Sequence, residues 1–242
     1  MKVAISQPTY LPWLGYFDLM DQVDVFVLLD DVQFEKQSWQ QRNRIKTPQG
    51  LQWLTVPVVF RGRLEQKIKD VEIRVPDFWR DHLRAVELNY RRARFFANYY
   101  EDLSAILGSS EPLLAELNAR LIEWSAKSLG LGTKMLRSSE LQQEGKRTEL
   151  LANICTRLGA TEYLSPIGSA EYLVKEMEVL TSHGIEVRFQ NYAHPEYPQL
   201  FAPFAAYACI LDLLFNVGPD AMAIIRSGRG EALKAEEITA AG

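Results

Sequence analysis

Lys2-Val3-Ala4-Ile5-Ser6 and, a short way on, Asp24-Val25-Phe26-Val27-Leu28-Leu29 are the two runs on which the reading of the fold turns. The first is a short buried strand, ended by Gln7-Pro8. The second is apolar at consecutive rather than alternate positions, as in a parallel strand covered on both faces. Between them Trp13, Leu14, Tyr16, Phe17, Leu19 and Met20 recur at the spacing of a short helix closing at Asp21. Strand, helix and strand predict a β-α-β unit with a right-handed connection. The fold class that follows is α/β: a mostly parallel, Rossmann-like sheet with flanking helices.

Outward from that unit, residues 32–47 are polar and aromatic, and Pro48-Gln49-Gly50 turns into a third strand over 53–59. A further strand is expected over 69–75. Residues 77–127 read as helical and Arg-rich. Pro76-Asp77 is a start signal, Arg91-Arg92 lies near the first helix's end, and Glu111-Pro112 opens the next helix. This central helical insertion, about 77–130, could form a lid, a cap or a dimer face, so a homodimer stays open. Strands are then expected over 134–138, 162–165 and 186–190, and helices over 147–158 and 171–182, the latter stopped by His183-Gly184. Helices over 206–215 and 219–226 close a single α/β domain spanning 1–230. Residues 231–242 read as a flexible tail.

Composition bounds the function. Of 242 residues, 47% are hydrophobic and 24% charged, the ordinary globular balance, and the length suits one large α/β domain. The net charge of -4 argues against a generic nucleic-acid binder, though a local basic patch can still hold a phosphate-bearing small molecule. Cys155 and Cys209 both fall in apolar helical stretches and read as buried packing rather than a metal pair. They imply no disulfide framework, which fits a reducing compartment. The opening apolar run is too short for a signal peptide, and no run approaches the roughly 18 apolar residues of a membrane span. A soluble, cytoplasmic protein is expected.

In open α/β sheets, ligands bind outside the carboxyl ends of the strands. Here those exits are Gln7-Pro8-Thr9-Tyr10, Asp30-Asp31-Val32-Gln33, Ser138-Ser139, Ser165-Pro166-Ile167-Gly168 and Gln190-Asn191-Tyr192. If they share one rim, Gln7, Tyr10, Trp13, Gln33, Ser139, Ser165 and Gln190 are binding candidates. Between Gln7 and Phe17 two prolines and a glycine fix the chain around four aromatics, which suits a flat or sugar-like ligand; rings that merely fill the core are the plainer alternative. Asp30 and Asp31 are candidate bases, cation ligands or acceptors for sugar hydroxyls, against the alternative of a turn or a helix cap. Adjacent residues at a strand end point opposite ways, so one is expected to be functional and one structural.

Trp39-Gln40-Gln41-Arg42-Asn43-Arg44-Ile45-Lys46 gathers three cations on an acidic chain. Trp39, Arg42, Asn43, Arg44 and Lys46 therefore enter as binding residues, since Arg forks match phosphate or carboxylate; a solvated charged loop is the alternative. Lys146, ahead of a helix N-terminus, is a weaker anion candidate, and its glycine spacing is not that of a P-loop. His82 and His183 have structural explanations. His194, in the loop that also carries Tyr197, is the histidine to test as a general base. No metal-ligand spacing is present, and no cofactor is indicated.

These residues carry a resemblance. The run from Gln7 to Phe17, Asp24-Val25-Phe26-Val27 with Leu29-Asp30-Asp31-Val32-Gln33-Phe34, and residues 39–46 resemble the opening of WbqC-like proteins. Ser138-Ser139-Glu140-Leu141, Tyr163-Leu164-Ser165, Gln190-Asn191-Tyr192, His194-Pro195 and Tyr197-Pro198 extend the likeness to about residue 218. It implies a link to O-antigen or related polysaccharide biosynthesis. A second likeness, at fold level, is to nucleotidyltransferase-type Rossmann-like proteins such as pantothenate synthetase. There a His-x-Gly-His motif stabilises transferring phosphates; Trp13-Leu14-Gly15-Tyr16 stands in its place here, without either histidine.

Three functions follow as expectations. The first is a transferase acting on an activated, phosphate-bearing sugar, for example by acyl or aminoacyl transfer to an amino sugar; its ligand would be a nucleotide-sugar or other phosphorylated small molecule. The second is a nucleotidyl or adenylyl transferase, which would use a nucleoside triphosphate and Mg²⁺. The third is a non-catalytic ligand-binding or assembly protein.

Overall fold

A computed structural model of the chain describes residues 1–63 and 65–239. The two apolar runs lie side by side in it. β1 (Lys2–Ser6) and β2 (Val25–Leu28) are parallel, in register from Val3 opposite Val25 to Ser6 opposite Leu28, with α1 (Leu14–Asp21) between them in sequence. All four residues of β2 are buried, as its unbroken apolar run requires.

β3 (Arg42–Thr47) and β4 (Gly50–Thr55) form a separate antiparallel hairpin. Both depart from expectation. β3 lies in the 32–47 stretch, read as polar and aromatic and given no strand. β4 starts and ends earlier than 53–59 because Gly50, at φ 109°, closes the turn, and Pro57 has no N–H to extend a ladder. The strand expected over 69–75 is a single 3₁₀ turn at Ile68–Asp70, followed by isolated bridges from Ile73 to Val58 and from Glu72 to Leu113.

Helices α2 (Phe78–Tyr90), α3 (Phe96–Leu107) and α4 (Leu114–Ser128) occupy the central region. β5 (Lys134–Arg137), the short α5 (Ser138–Leu141), α6 (Thr148–Leu158) and β6 (Glu162–Ser165) follow. The helix expected over 171–182 is broken into α7 (Ala170–Leu173) and α8 (Met177–Thr181). At the break, Glu176 takes a hydrogen bond from Thr148 and pairs with Arg147. β7 (Glu186–Phe189), α9 (Ile210–Val217), α10 (Ala221–Ser227) and α11 (Ala235–Thr239) complete the order. α9 starts later than residue 206 because Tyr207 is at φ 64° and Cys209 bridges the backbone of Trp13.

The main sheet has the order β5-β2-β1-β6-β7 and is parallel throughout. Alternate side chains go to opposite faces. Ala4, Phe26, Leu28 and Leu164 join a core shared with α1, α2, α3, α4 and α9, while Val3, Ile5, Val25, Val27, Tyr163 and Val187 join one shared with α6, α7 and α8. Each fully buried Val, Leu or Phe contributes roughly 1.5–3 kcal/mol relative to exposure. The order places a topological switch between β1 and β6: the chain builds outward through β2 and β5, then returns to the other side of β1. Crevices for ligands open at such points.

The segment expected as a tail is described as far as residue 239. Leu233 and Phe189 exchange backbone hydrogen bonds, each 2.9 Å, and Ala235 is buried, so this segment packs along β7. Residues 240–242 lie outside the described residues.

His82 illustrates how the core handles polar groups. Its Nε2–H donates to the Thr55 carbonyl at 3.2 Å, so Nδ1 accepts from the Tyr10 hydroxyl at 2.8 Å. Burial lowers its pKa from 6.5 to about 4, opposed by the Thr55 carbonyl and Asp81. The unfolded chain therefore takes up this proton near pH 6.5, while the folded chain resists it until about pH 4. This stabilisation is full above pH 6.5 and is lost as pH falls towards 4, with a slope of at most about 1.4 kcal/mol per pH unit. Urea titrations between pH 7 and pH 4 should show stability falling with pH in the native chain and falling less steeply in His82→Gln, where half-buried His194 still contributes.

Candidate functional site

At the switch point lies a cavity of about 420 Å³, mostly apolar in its lining. β1 contributes Ser6, and the segment that follows it Thr9; the β6 exit contributes Pro166, Ile167 and Gly168; the β7 exit contributes Gln190. Trp13, Gly15, Tyr16 and Leu19 come from α1 and its entry, Trp39, Asn43 and Arg44 from the hairpin and its approach, and Tyr207 from the loop before α9.

The local sequence explains how the wall is held. Gln7-Pro8-Thr9-Tyr10-Leu11-Pro12 has little regular structure of its own, so its carbonyls need partners from elsewhere. Asn118 supplies Pro8 (3.1 Å), and Asn43 supplies Tyr10 (3.2 Å) and Leu11 (2.7 Å). The Tyr10 amide donates to the Trp39 carbonyl at 2.9 Å, and the Cys209 amide to the Arg44 carbonyl at 2.7 Å, which fastens the hairpin beside the cavity. Gly15 is needed for close approach: a Cβ there would meet the Trp13 ring at 2.4 Å. Trp13 can therefore lie over the start of α1, packed against Tyr192, Tyr207 and His194.

Gln190 is fixed from beneath. Its Nε2 donates to the Gly15 carbonyl at 2.8 Å and to Asp18 at 2.7 Å, leaving its carboxamide oxygen for a ligand. Asp18 is fully buried and also accepts from Arg229 and Gln22, both at 2.7 Å. Arg44 is the cation of the wall. Its guanidinium lies beside both Trp39 (5.4 Å) and Trp53 (5.3 Å), whose rings also touch each other, and among the described residues no carboxylate lies within ion-pair distance of it. Its Nε is buried without a hydrogen-bond partner.

Of the residues expected from sequence to bind, the structure gathers Trp13, Trp39, Asn43, Arg44 and Gln190 at this cavity. The others lie outside its lining. Tyr10 is fully buried, its hydroxyl on His82. Tyr197 is buried and donates to Asp212 at 2.8 Å. Lys46 is buried in the core, where its charge favours the ionised form of Asp212. Ser165 is buried behind the Pro166 turn, while Gln7 is tied to Gln40 at 2.8 Å. Arg42 stacks on Trp53 at 4.3 Å, outside the cavity; Gln33 and Lys146 are exposed, away from it.

The aspartate pair does not line this cavity. Asp30 is 1% exposed and accepts from Arg137 Nε (2.8 Å), Ser139 Oγ (2.9 Å), Ser139 N (3.0 Å) and Ser138 Oγ (3.1 Å). Asp31 also bonds Ser138. Together they clamp the end of β2 to that of β5, and Ser139 belongs to this clamp. His194 stands one ring behind the wall, 6.2 Å from Trp13 and 5.0 Å from Tyr207 between ring centroids. Its Nδ1–H donates to the Pro195 carbonyl at 2.9 Å, its Nε2 is buried without a partner, and burial holds its pKa below 6.5.

Several lining residues lay in stretches the sequence reading quoted without being named as binding residues, and one lay outside them. Gly15 and Tyr16 sat inside the quoted aromatic run, and Pro166-Ile167-Gly168 inside a quoted strand exit. Tyr207 offered no signal beyond being aromatic. Both thiols are inert: burial pushes Cys155 and Cys209 up to about 12. Among the described residues no group of three or more His, Cys, Asp and Glu is placed to hold a metal ion, and no helix is long and apolar enough to cross a membrane.

A parallel, helix-flanked sheet with an aromatic, cation-bearing cavity at its switch point defines a Rossmann-like α/β protein as the structural class. The chain belongs to the WbqC-like protein family, whose model matches residues 7–224. It is 42% identical over 227 residues to the uncharacterized protein Rv1507c of Mycobacterium tuberculosis (strain ATCC 25618 / H37Rv), covering 93% of this chain and 97% of that one. No solved structure matches the chain.

Proposed function

We propose that this chain is a transferase acting on a phosphate-bearing sugar, or a similar activated small substrate, by acyl or aminoacyl transfer to an amino group. The observation that carries the reading is Arg44: a guanidinium with no carboxylate partner among the described residues, set beside two indoles on the wall of an aromatic cavity. Aromatic faces suit a sugar's C–H surface, and the free guanidinium edge suits a phosphate. Gln190 and Thr9 orient hydroxyls. His194 is the base: its Nε2 lone pair accepts the proton as the amine nitrogen bonds to the acyl carbon and the leaving group departs. It reaches that proton when Tyr207, 51% exposed, turns aside. Asp30, with both carboxylate oxygens occupied, holds strands together instead. The polysaccharide setting rests on the family resemblance.

Thermal-shift measurements test this reading with sugar 1-phosphates, coenzyme A, and ATP with Mg²⁺. Sugar phosphates should raise the melting temperature of the native chain. In Arg44→Ala that rise should vanish while the unliganded melting temperature stays close to native, because the side chain is half-buried and makes no ion pair. A response confined to ATP with Mg²⁺ would replace this reading with nucleotidyl transfer. A large loss of unliganded stability would make Arg44 structural.

A further inference from the structure

The cavity does not end the ligand-facing surface. β3 places Arg42 and Arg44 two residues apart on one strand, hence on one face and roughly 7 Å apart along it. β4 sets Trp53 directly opposite Arg44. The Arg42 guanidinium stacks on Trp53 at 4.3 Å, Arg44 lies within 5.4 Å of both indoles, and the Trp39 and Trp53 rings are 5.4 Å apart. Arg42, Trp53, Arg44 and Trp39 thus form a continuous ladder of guanidinium and indole groups, with Arg44 beside both rings. Its inner half, Arg44 and Trp39, is cavity wall; its outer half lies on the surface.

Three features mark the ladder as a binding surface. Trp39 is 48% exposed and Trp53 42%, among the few large apolar side chains so placed. Neither arginine has a carboxylate within ion-pair distance among the described residues, although the chain carries 31 Asp and Glu. Each Nε is buried and lacks a hydrogen-bond partner. Surface cations on an acidic protein ordinarily find acids; two neighbours that do not, stiffened by indoles, are arranged for an external anion. Indole faces beside them accept a flat ring by stacking.

We infer that the ladder is a nucleoside diphosphate subsite. This rests on the reading of the cavity as the pocket for an activated sugar, and identifies the activating group. The sugar occupies the cavity, the diphosphate meets Arg44 at the mouth and Arg42 beyond it, and the nucleobase stacks on the exposed indoles. The span of two arginines exceeds what one phosphate group needs and fits two. Base contacts here are stacking contacts, so the subsite discriminates poorly among bases.

Isothermal titration separates this inference from the reading beneath it. The probes are uridine, guanosine and thymidine diphosphates, their sugar conjugates, a sugar 1-phosphate and inorganic pyrophosphate. The nucleoside diphosphates should bind at least about tenfold tighter than pyrophosphate, and Trp53→Ala should remove about that factor. Arg42→Ala is a second variant outside the cavity and should weaken diphosphate conjugates more than sugar 1-phosphate. If sugar 1-phosphate binds as tightly as the diphosphate conjugates and neither variant matters, the subsite is wrong and the sugar reading stands. If nucleoside diphosphates bind through Trp53 but their sugar conjugates bind no tighter, the subsite stands and the sugar reading falls. Binding of none of the probes overturns both.

Discussion

Asp212→Ala should lower the melting temperature by roughly 6–20 °C, corresponding to a loss of about 3–5 kcal/mol. Asp212 is fully buried on α9 and accepts hydrogen bonds from Tyr90 Oη, Tyr197 Oη and Gln199 Nε2, each at 2.8 Å. Burial raises its pKa above 3.8, while those donors and the charge of Lys46 oppose the rise. Through them the carboxylate joins α2, the hairpin and the loop ahead of α9. Removing it takes the carboxylate from two phenols and from the buried Lys46 charge together, and such groups cost far more alone than paired. Calorimetry beside the control Asp220→Ala, an exposed acid, supplies the comparison. Equal melting temperatures for the two variants would show that the cluster carries no such stability.

Asp30→Asn should cost a similar amount, about 3–5 kcal/mol, and leave ligand binding by the folded fraction intact. The amide turns one carboxylate oxygen into a donor where every neighbour is already a donor: Arg137, the Ser138 and Ser139 hydroxyls, and the Ser139 amide. Arg137 keeps only Glu116. Urea unfolding gives the stability, and titration well below the melting point gives the binding. Native stability combined with lost turnover would reinstate Asp30 as a catalytic group.

The sheet was legible because parallel strands announce themselves: the apolar runs at 2–6 and 25–28 have no other use than burial on two faces. The strand exits at Pro166-Ile167-Gly168 and Gln190 were legible for the same reason, since the switch-point rule needs only strand ends. The hairpin was not. Arg42-Asn43-Arg44-Ile45-Lys46-Thr47 looks like a solvated charged loop until Trp53 and Trp39, from separate segments, cover its guanidinium groups. Tyr10 and Tyr197 lie away from the cavity for a related cause. A tyrosine joins the core when its hydroxyl finds a partner, and here the partners, His82 and Asp212, lie 72 and 15 residues away. Asp212 itself did carry a signal, a lone acid amid Ile210, Leu211, Leu213 and Leu214.

The pairing of Leu233 with Phe189 has a consequence for the molecule among its own copies. A parallel sheet of this order presents β7 as an outer margin, whose free amides and carbonyls are a template for strands from other molecules. The chain caps that margin with its own last described segment. Removing the segment from residue 231 onward should strip that bridge and leave the β7 margin open to strands of neighbouring molecules, which concentration-dependent light scattering would read.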